Sequence, residues 1–360
     1  MMNTTFERLI ADATRLTQAG DLRAATDAIQ AAIRGAMPAR SDAPEIDDTD
    51  VIEGTARRVD KPDLANSDSA PAQKDAPRGG QLLDGRHSCA TDSREYKLFV
   101  PPQAGQLATG KALPLVVMLH GCTQNPDDFA LGTGMSDAAL ASDEGFFVLY
   151  PAQNSQANPS RCWNWFKRSH QQRGVGEPAL LADMTRELIK SYPIDRQRVY
   201  VAGLSAGGAM AAILGEAYPD IFAAVGVHSG LAVGAAKDVN SAFSAMKSGA
   251  AVAAKPDRKA VPTIVFHGDK DSTVHPVNGE QAVQASAGSA AASVETGIDN
   301  GRSFTRSIYA AEGRVVAEHW TVQGAGHAWS GGSAKGSYTD ARGPSATREM
   351  LRFFFANTLR

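Results

Sequence analysis

From about residue 92 onward, short apolar runs alternate with stretches in which apolar residues recur every three or four positions. The runs are rich in Val, Ile and Leu, which predicts buried strands, while the periodic stretches predict amphipathic helices. Near-continuous apolar strands between such helices are typical of a mainly parallel sheet that is covered on both faces. The predicted class is therefore α/β, with three layers.

The predicted strands and helices follow one another regularly in this part of the chain. Strands are predicted at 95–101, 114–121, 145–151, 198–203, 222–230 and 261–269, followed by a β-pair over 304–323. Helices are predicted at 180–192, 206–219, 279–286 and 345–359. The alanine-rich segment 231–255, between two of the strands, is predicted to be a plain helix or a cap over the site.

The chain before residue 92 has a different pattern. Apolar residues recur at helical spacing from Phe6 to Leu16 and again from Leu22 to Ile33, which predicts a helical hairpin over residues 1–36. This hairpin is expected to pack on the main domain or on a partner.

Residues 37–91 are rich in Pro, Asp and Ser and poor in aromatic residues. Such a segment cannot bury enough apolar surface to order itself, so we predict a largely disordered linker, with one candidate edge strand at 51–59. The catalytic domain is then predicted to cover residues 92–360.

Composition narrows the class of protein further. A formal net charge of -3 over 360 residues provides no basic surface for nucleic acid. The chain has no apolar run of the roughly 18 residues that a membrane span needs. Its three cysteines, Cys89, Cys122 and Cys162, are too few for a disulfide scaffold and too widely spaced for a zinc knuckle. No secretory leader is visible at the N-terminus, which by itself favours a cytoplasmic location.

A glycine-flanked serine follows one of the predicted strands. In "VYVAGLSAGGAM", Gly203 lies two residues before Ser205 and Gly207 two residues after it. A tight strand-to-helix turn would account for the glycines alone, but ligands of parallel sheets gather at the carboxyl ends of the strands. This lipase-box pattern, with small residues on both sides of the turn, predicts Ser205 as a nucleophile.

A serine hydroxyl needs a base and an acid, and the usual order along the chain is nucleophile, acid, histidine. His327, in the glycine-rich "QGAGHAWSGG" after the last predicted strand, is the predicted general base. His319 lies within that strand and is expected to fill one of its faces. Of the two carboxylates in "HGDKDSTVHP", Asp271 is the predicted acid, whereas Asp269 is expected to cap the turn.

Acyl transfer also needs hydrogen-bond donors for the developing oxyanion. The backbone N–H of Ala206, directly after the nucleophile, is one predicted donor. The N–H of Cys122, in the loop after "LVVMLHG", is the other. His120 is expected to support this loop rather than to act as a base.

Aromatic residues cluster in "RCWNWF" and near the predicted base. Trp163, Trp165 and Trp329 are candidate walls of an apolar substrate groove. The alternative is that these side chains belong to the core.

Five segments, "LHGCTQNPDDFA", "RCWNWF", "RVYVAGLSAGGAMAAIL", "HGDKDSTVHPVNG" and "GAGHAWSGG", occur in this order. Together they resemble the esterase family of poly(3-hydroxyalkanoate) depolymerases, and more narrowly the extracellular type 1 catalytic domain for short-chain-length polymers. The resemblance covers about residues 92–358 and implies the α/β-hydrolase fold. It also implies Ser205, Asp271 and His327 as the catalytic triad, with His120 as the histidine of the oxyanion pocket.

The resemblance has consequences for chemistry and location. It implies a disulfide between Cys122 and Cys162, and such a bridge would favour an extracellular location. It implies hydrolysis of short-chain hydroxyalkanoate esters, oligomers or polymer through an acyl-enzyme, with neither a metal nor an organic cofactor. The related family members leave a feruloyl or acetylxylan esterase as an alternative. A non-catalytic interaction protein is the alternative from another class, and the oligomeric state stays open.

Overall fold

The computed structural model describes residues 79–89, 92–106, 111–250 and 260–359. The predicted helical hairpin, residues 1–36, and the candidate edge strand at 51–59 lie outside these ranges. Within the described residues, one large mixed sheet carries helices on both faces. The predicted three-layer α/β class is confirmed.

Ten strands form the large sheet, and two short strands pair beside it. The ten strands are β1 (Gln81–Ser88), β2 (Ser93–Val100), β3 (Leu113–Leu119), β4 (Phe147–Pro151), β5 (Ile194–Leu204), β6 (Ala224–His228), β7 (Thr263–Gly268), β8 (Ala292–Asp299), β9 (Arg302–Ala311) and β10 (Arg314–Val322). Their order across the sheet is β1-β2-β4-β3-β5-β6-β7-β10-β9-β8. The short pair consists of β11 (Trp329–Ser330) and β12 (Thr339–Asp340).

The central strands β4, β3, β5, β6, β7 and β10 run parallel, and antiparallel strands flank them on both sides. Because parallel strands end at the same edge, the loops after β3, β5, β7 and β10 meet there. All the predicted catalytic residues lie in or beside these loops.

Seven α-helices are described. They are α1 (Pro126–Thr133), α2 (Met135–Ala141), α3 (Gly176–Ser191), α4 (Ala206–Ala217), α5 (Val239–Ser248), α6 (Val277–Ala287) and α7 (Ala346–Phe355). Short 3-10 turns lie at Pro102–Gln106 and Arg168–His170.

Alternation along the strands divides the core into two layers. In β3, Leu115 and Val117 face one side, and Val116 and Met118 face the other. Helices α3 to α6 cover the first side, and α1, α2 and α7 cover the second. The central strands are therefore buried on both faces, which accounts for their uninterrupted apolar sequences.

Helix α1 begins with a strong local signal, "NPDD". The Asn125 side chain accepts a hydrogen bond from the Asp128 N–H at 2.9 Å, and Pro126 occupies the first helical position. Asn at the N-cap and Pro at the first position are both favourable at a helix start. The helix therefore begins directly after the loop that follows β3.

Two edge strands differ from the prediction. Residues 81–88, placed in the predicted 37–91 linker, form β1, and residues 292–299, for which no element was predicted, form β8. Both strands pair antiparallel along their whole length, yet most of their side chains are exposed. An edge strand is held by backbone hydrogen bonds more than by burial, so it leaves little hydrophobic signal in the sequence. In β1 the buried His87 also contacts the carboxylates of Asp183 and Glu187 on α3.

Candidate active site

Ser205 forms the turn between β5 and α4. Its backbone has φ 58° and ψ −120°, a conformation that L-residues adopt rarely and at a cost. Its N–H donates to the carbonyl oxygen of His228 at 2.9 Å, which ties the turn to the end of β6. The strain therefore lies at the residue that the sequence singled out as nucleophile.

The two glycines that flank Ser205 allow backbones to approach one another. A Cβ at Gly203 would lie 2.7 Å from the Leu119 carbonyl oxygen, and one at Gly207 would lie 2.6 Å from that of His120. Real Cβ atoms essentially never come so close, so α4 can start directly against the ends of β5 and β3 only if both positions lack side chains. This contact explains the G-x-S-x-G spacing.

Asp271 and His327 form a hydrogen-bonded pair beside this turn. The Asp271 Oδ2 and His327 Nδ1 atoms are 2.7 Å apart, while the N–H groups of Thr273 and Val274 donate to Asp271 Oδ1 at 3.0 and 2.9 Å. Burial raises the pKa of Asp271, but hydrogen bonds from His267, His327 and the Val274 N–H outweigh it and hold that pKa well below its usual range. The carboxylate is therefore ionised.

His267 is a partner of Asp271 that the sequence did not reveal. Its Nε2 lies 2.8 Å from the Val274 carbonyl oxygen and 3.4 Å from Asp271 Oδ2. A carbonyl only accepts, so Nε2 carries the proton and faces both oxygens. Asp269 instead accepts the N–H of Gly324, in the turn after β10, at 2.6 Å.

A cavity of about 270 Å³ opens at this edge of the sheet, and Ser205 and His327 both line it. Among the described residues, no hydrogen bond joins their side chains. The Nδ1 of His327 is bonded to Asp271, so its Nε2 is the nitrogen that can receive a proton. Catalytic hydrogen bonds are often long without substrate and tighten when it binds. The apolar part of the lining consists of Trp165, Phe166, Leu204, Val239, Ala242, Phe243 and Met246.

The loop after β3 lies directly against Ser205. A Cβ at Gly121 would lie 3.6 Å from the Ser205 Cβ, and the Gly121 N–H donates to Gln124 Oε1 at 2.9 Å. The Cys122 N–H makes no hydrogen bond within the described part of the chain. The Ala206 N–H is the first of α4, where no preceding turn supplies a carbonyl. Both predicted oxyanion donors thus belong to backbone beside Ser205.

His120 lies beneath this loop with both ring nitrogens engaged. Its Nε2 accepts the Gln153 N–H at 3.0 Å, so its proton is on Nδ1, which donates to the Gly121 carbonyl oxygen at 2.7 Å. Burial lowers the pKa of His120 to about 4, so the ring is neutral near pH 7. The Gly121 carbonyl and the Cys122 N–H belong to one peptide unit, so the donated bond polarises that N–H.

Cys122 and Cys162 form a disulfide with a Cα–Cα distance of 4.2 Å. It joins the loop after β3 to the loop after β4. One further bond connects these loops, since the Thr123 N–H donates to Ser160 O at 2.7 Å. Within the loop after β4, Gln153 Nε2 donates to Cys162 O at 2.9 Å. The position of the Cys122 N–H is therefore constrained by the disulfide of Cys122 itself and by the hydrogen bond of the next residue, Thr123.

The three tryptophans predicted as groove walls have different positions. Trp165 lines the cavity, whereas Trp163 and Trp329 do not, which corrects the prediction for these two. Trp163 is fully buried, and its Nε1 donates to the His120 carbonyl oxygen at 3.1 Å. Trp329 is also buried; its ring stacks on His228 and its Nε1 donates to Thr347 Oγ1 at 3.0 Å. Sequence does not distinguish an indole that faces substrate from one that supports a loop.

Several lining residues escaped the sequence-based prediction. Val239, Phe243 and Met246 come from α5, in the alanine-rich segment for which the sequence allowed a plain helix or a cap over the site. Their spacing of four and three residues is typical of one helical face, and that was the available signal. Tyr338, from the segment between β11 and β12, also lines the cavity and gave no signal.

The fold and this arrangement define the α/β-hydrolase class. A serine on a strained turn after a central parallel strand, followed in the chain by an acid and then a histidine at later strand ends, is its signature. The chain belongs to the Esterase PHB depolymerase family, whose family model matches residues 94–293.

Individual relatives agree with this assignment. Poly(3-hydroxyalkanoate) depolymerase C of Paucimonas lemoignei is 34% identical over 228 residues, which cover 59% of this chain and 54% of that protein. A probable acetylxylan esterase A of Aspergillus clavatus is 31% identical over 192 residues, covering 48% and 61% of the two chains. The matches thus span about half the length of these curated relatives.

A solved acetyl xylan esterase from Aspergillus awamori shares the fold. Its TM-score is 0.59 at 19% identity, and the match covers 77% of this chain and all of that one. In the ranges that the structure describes, no helix is both long enough and apolar enough to traverse a bilayer.

Proposed function

We propose that this protein is a serine esterase that hydrolyses carboxylic esters of short-chain hydroxyalkanoates, as oligomers or polyester, through an acyl-enzyme. The catalytic domain in this proposal is the predicted range 92–360 together with β1 (Gln81–Ser88), which pairs with β2 in the same sheet. The observation that carries it is the shared cavity of Ser205 and His327, together with the 2.7 Å bond from His327 to Asp271. Ser205 is the nucleophile, His327 the general base and Asp271 the acid.

In the first half-reaction, the Ser205 Oγ attacks the ester carbonyl carbon while His327 Nε2 takes the hydroxyl proton. The carbonyl oxygen becomes an oxyanion and accepts hydrogen bonds from the Cys122 and Ala206 N–H groups. The carbon–oxygen bond to the alcohol then breaks, and His327 returns its proton to the leaving oxygen. The product is an ester between the acyl group and Ser205.

In the second half-reaction, water replaces the alcohol. His327 removes a proton from the water as its oxygen attacks the acyl carbon, and the same two N–H groups receive the oxyanion again. Collapse breaks the bond to Ser205, which regains its proton from His327. Asp271 stays ionised throughout, and it holds the imidazole in the required tautomer and stabilises its charged form.

The cavity supports a small, apolar acyl group. Its apolar side chains come from Trp165 and Phe166, from Leu204 at the end of β5, and from one face of α5. A volume of about 270 Å³ lies just below the range typical of sites for drug-sized ligands. Together with the family assignment, this size supports short-chain hydroxyalkanoate units.

A second candidate substrate class consists of the ester groups of plant cell walls. The relative from Aspergillus clavatus is named a probable acetylxylan esterase, and one from Thermothelomyces thermophilus, 35% identical over 130 residues, is named feruloyl esterase B. An acetyl group would fit the same cavity.

The nucleophile is tested with Ser205→Ala, with Ser248→Ala as the control. Ser248 is an exposed hydroxyl near the end of α5. We expect Ser205→Ala to lose hydrolysis of p-nitrophenyl butyrate and labelling by a serine-directed organophosphate, while the control keeps both. Retained turnover in Ser205→Ala would contradict the proposal. A wild-type protein that the organophosphate does not label would favour a non-catalytic interaction protein.

The substrate class is tested by turnover of 3-hydroxybutyrate trimer, amorphous polyhydroxybutyrate granules, methyl ferulate and acetylated xylan. We expect the trimer to have the highest kcat/KM of the soluble substrates. Preference for methyl ferulate or acetylated xylan would replace the first substrate class by the second.

A further inference from the structure

Tyr338 occupies an unusual position at the mouth of the cavity. It lies directly before β12, its side chain is about half exposed, and its backbone φ of 51° is in the left-handed region. The ring centroids of Tyr338 and His327 are 6.4 Å apart, with the rings nearly perpendicular. A non-glycine residue in this conformation persists only where its surroundings hold it.

The residue before it provides that support. The Ser337 N–H and Oγ donate to the two carboxylate oxygens of Asp128 on α1 at 2.8 and 2.6 Å. The side chain of Gln124 donates to the Ser337 carbonyl oxygen at 3.1 Å. Because Gln124 also accepts the Gly121 N–H, the segment that carries Tyr338 is tied to the loop of the oxyanion donors.

The Tyr338 hydroxyl is available as a hydrogen-bond donor. It lies 3.4 Å from Thr123 Oγ1, and Thr123 gives its own hydroxyl proton to the Cys122 carbonyl oxygen at 2.6 Å. Thr123 can therefore only accept from Tyr338, across a distance longer than hydroxyl hydrogen bonds prefer. An acceptor at a shorter distance in the cavity would replace Thr123 as the partner of this hydrogen bond at little cost in free energy.

The position of His327 tells which part of a substrate passes Tyr338. His327 must protonate the leaving oxygen, so that oxygen lies beside the imidazole. Tyr338 lies beside the same imidazole, so its ring is positioned to meet the alcohol part of a bound ester. In a 3-hydroxyacyl ester, only the two backbone carbons of the hydroxyacyl unit separate the leaving oxygen from the next carbonyl group.

We infer that Tyr338 is a specificity-determining residue, whose hydroxyl donates a hydrogen bond to the carbonyl group of the hydroxyacyl unit on the alcohol side. The inference rests on the proposed esterase function and deepens it. In this role Tyr338 favours the binding of esters whose alcohol is itself a 3-hydroxy acid derivative over the binding of esters of simple alcohols. No covalent step changes, since Tyr338 only binds.

The test compares two esters with the same acyl group. One is the 3-hydroxybutyryl ester of methyl 3-hydroxybutyrate, and the other is sec-butyl 3-hydroxybutyrate, whose alcohol lacks the second carbonyl. We expect Tyr338→Phe to raise KM about three- to tenfold for the first ester, the effect of one neutral hydrogen bond, and to leave KM for the second unchanged. The kcat values stay similar, because the bond is present in ground and transition states alike.

Tyr309→Phe on β9, away from the cavity lining, is the matched control and should change neither KM. Thermal unfolding midpoints of both variants establish that each is folded. An equal change for both esters, or no change for either, would overturn the role of Tyr338 while leaving the esterase proposal intact. A wild-type protein that hydrolyses neither ester would overturn both.

Discussion

The Nε2 atom of His120 accepts the backbone N–H of Gln153 at 3.0 Å, and this bond decides where the ring carries its proton. With Nε2 accepting, Nδ1 must donate, and it donates to the Gly121 carbonyl oxygen at 2.7 Å. The histidine therefore acts on the proposed oxyanion donor of Cys122 through one peptide group. We therefore expect it to support the oxyanion site and not to act as a base.

This relationship predicts the effect of His120→Phe. The substitution retains a ring of similar size but removes the donor to Gly121, so the Cys122 N–H is less polarised and less well positioned. Losing an oxyanion donor outright costs about 10²–10³ in kcat, and we expect the indirect loss to cost about tenfold, with KM little changed. Steady-state kinetics with p-nitrophenyl butyrate measure this.

His275→Ala, at an exposed position, is the control for this experiment. It should retain the wild-type kcat. If His120→Phe also retains it at an unchanged unfolding midpoint, the polarisation of the Cys122 N–H makes no contribution to the rate.

Three buried histidines predict how stability depends on pH. Burial lowers the pKa of His120 to about 4, of His228 to about 3 and of His319 to about 4. In the unfolded chain a histidine has a pKa near 6.5, so the unfolded state binds these protons first. Their contribution to stability is present above about pH 6.5 and is lost as pH falls toward the folded values, at about 1.4 kcal/mol per pH unit for each histidine.

His319→Met isolates one of these contributions. Between about pH 6 and pH 4.5 we expect the slope of the unfolding free energy to decrease by about 1.4 kcal/mol per pH unit, because one titrating group is gone. Urea denaturation at several pH values measures the slope. Val322→Ala, a buried substitution on the same strand, should lower the whole curve and leave its slope unchanged. A wild-type slope in His319→Met would contradict the assignment.

The disulfide predicts a coupled effect on stability and rate. Closing a loop between residues 40 apart contributes about 4 kcal/mol in the chain-entropy model. Replacing both Cys122 and Cys162 by Ser should therefore lower the unfolding free energy by about that amount, and should also lower kcat because the Cys122 N–H is less constrained.

Cys89→Ser, outside this bridge, is the control and should leave kcat unchanged. Thiol titration of the denatured wild-type protein should detect one thiol before reduction and three after it. Three thiols before reduction would mean that the bridge does not form in solution.

The distinction between lining and supporting tryptophans predicts different substrate profiles. Trp165→Phe enlarges the cavity, so we expect the ratio of octanoate to butyrate p-nitrophenyl ester turnover to increase a few-fold. Trp329→Phe changes a buried ring outside the lining, and we expect lower stability with an unchanged ratio. Both ratios come from the same assay, and a shift in Trp329→Phe alone would reverse the assignment of the two rings.

Hydrophobic patterning predicts the central elements well because burial on both faces leaves a strong mark on the sequence. The apolar runs at 114–121 and 198–203 correspond to β3 and β5, and the chain order of Ser205, Asp271 and His327 follows from the strand ends. The edge strands β1 and β8 escape such a prediction, since backbone pairing with one neighbour holds them and most of their side chains are in water.

The sequence by itself determined the α/β class, the identity of the serine turn and the candidates for its partners, because each depends on residues close together in the chain. Tertiary structure alone decided which aromatic rings face the cavity, that His267 contacts Asp271, and that Tyr338 meets Thr123 across 215 residues. These contacts join loops from different strands at one edge of the sheet. Local periodicity reports whether a side chain is buried, but not which distant loop it meets.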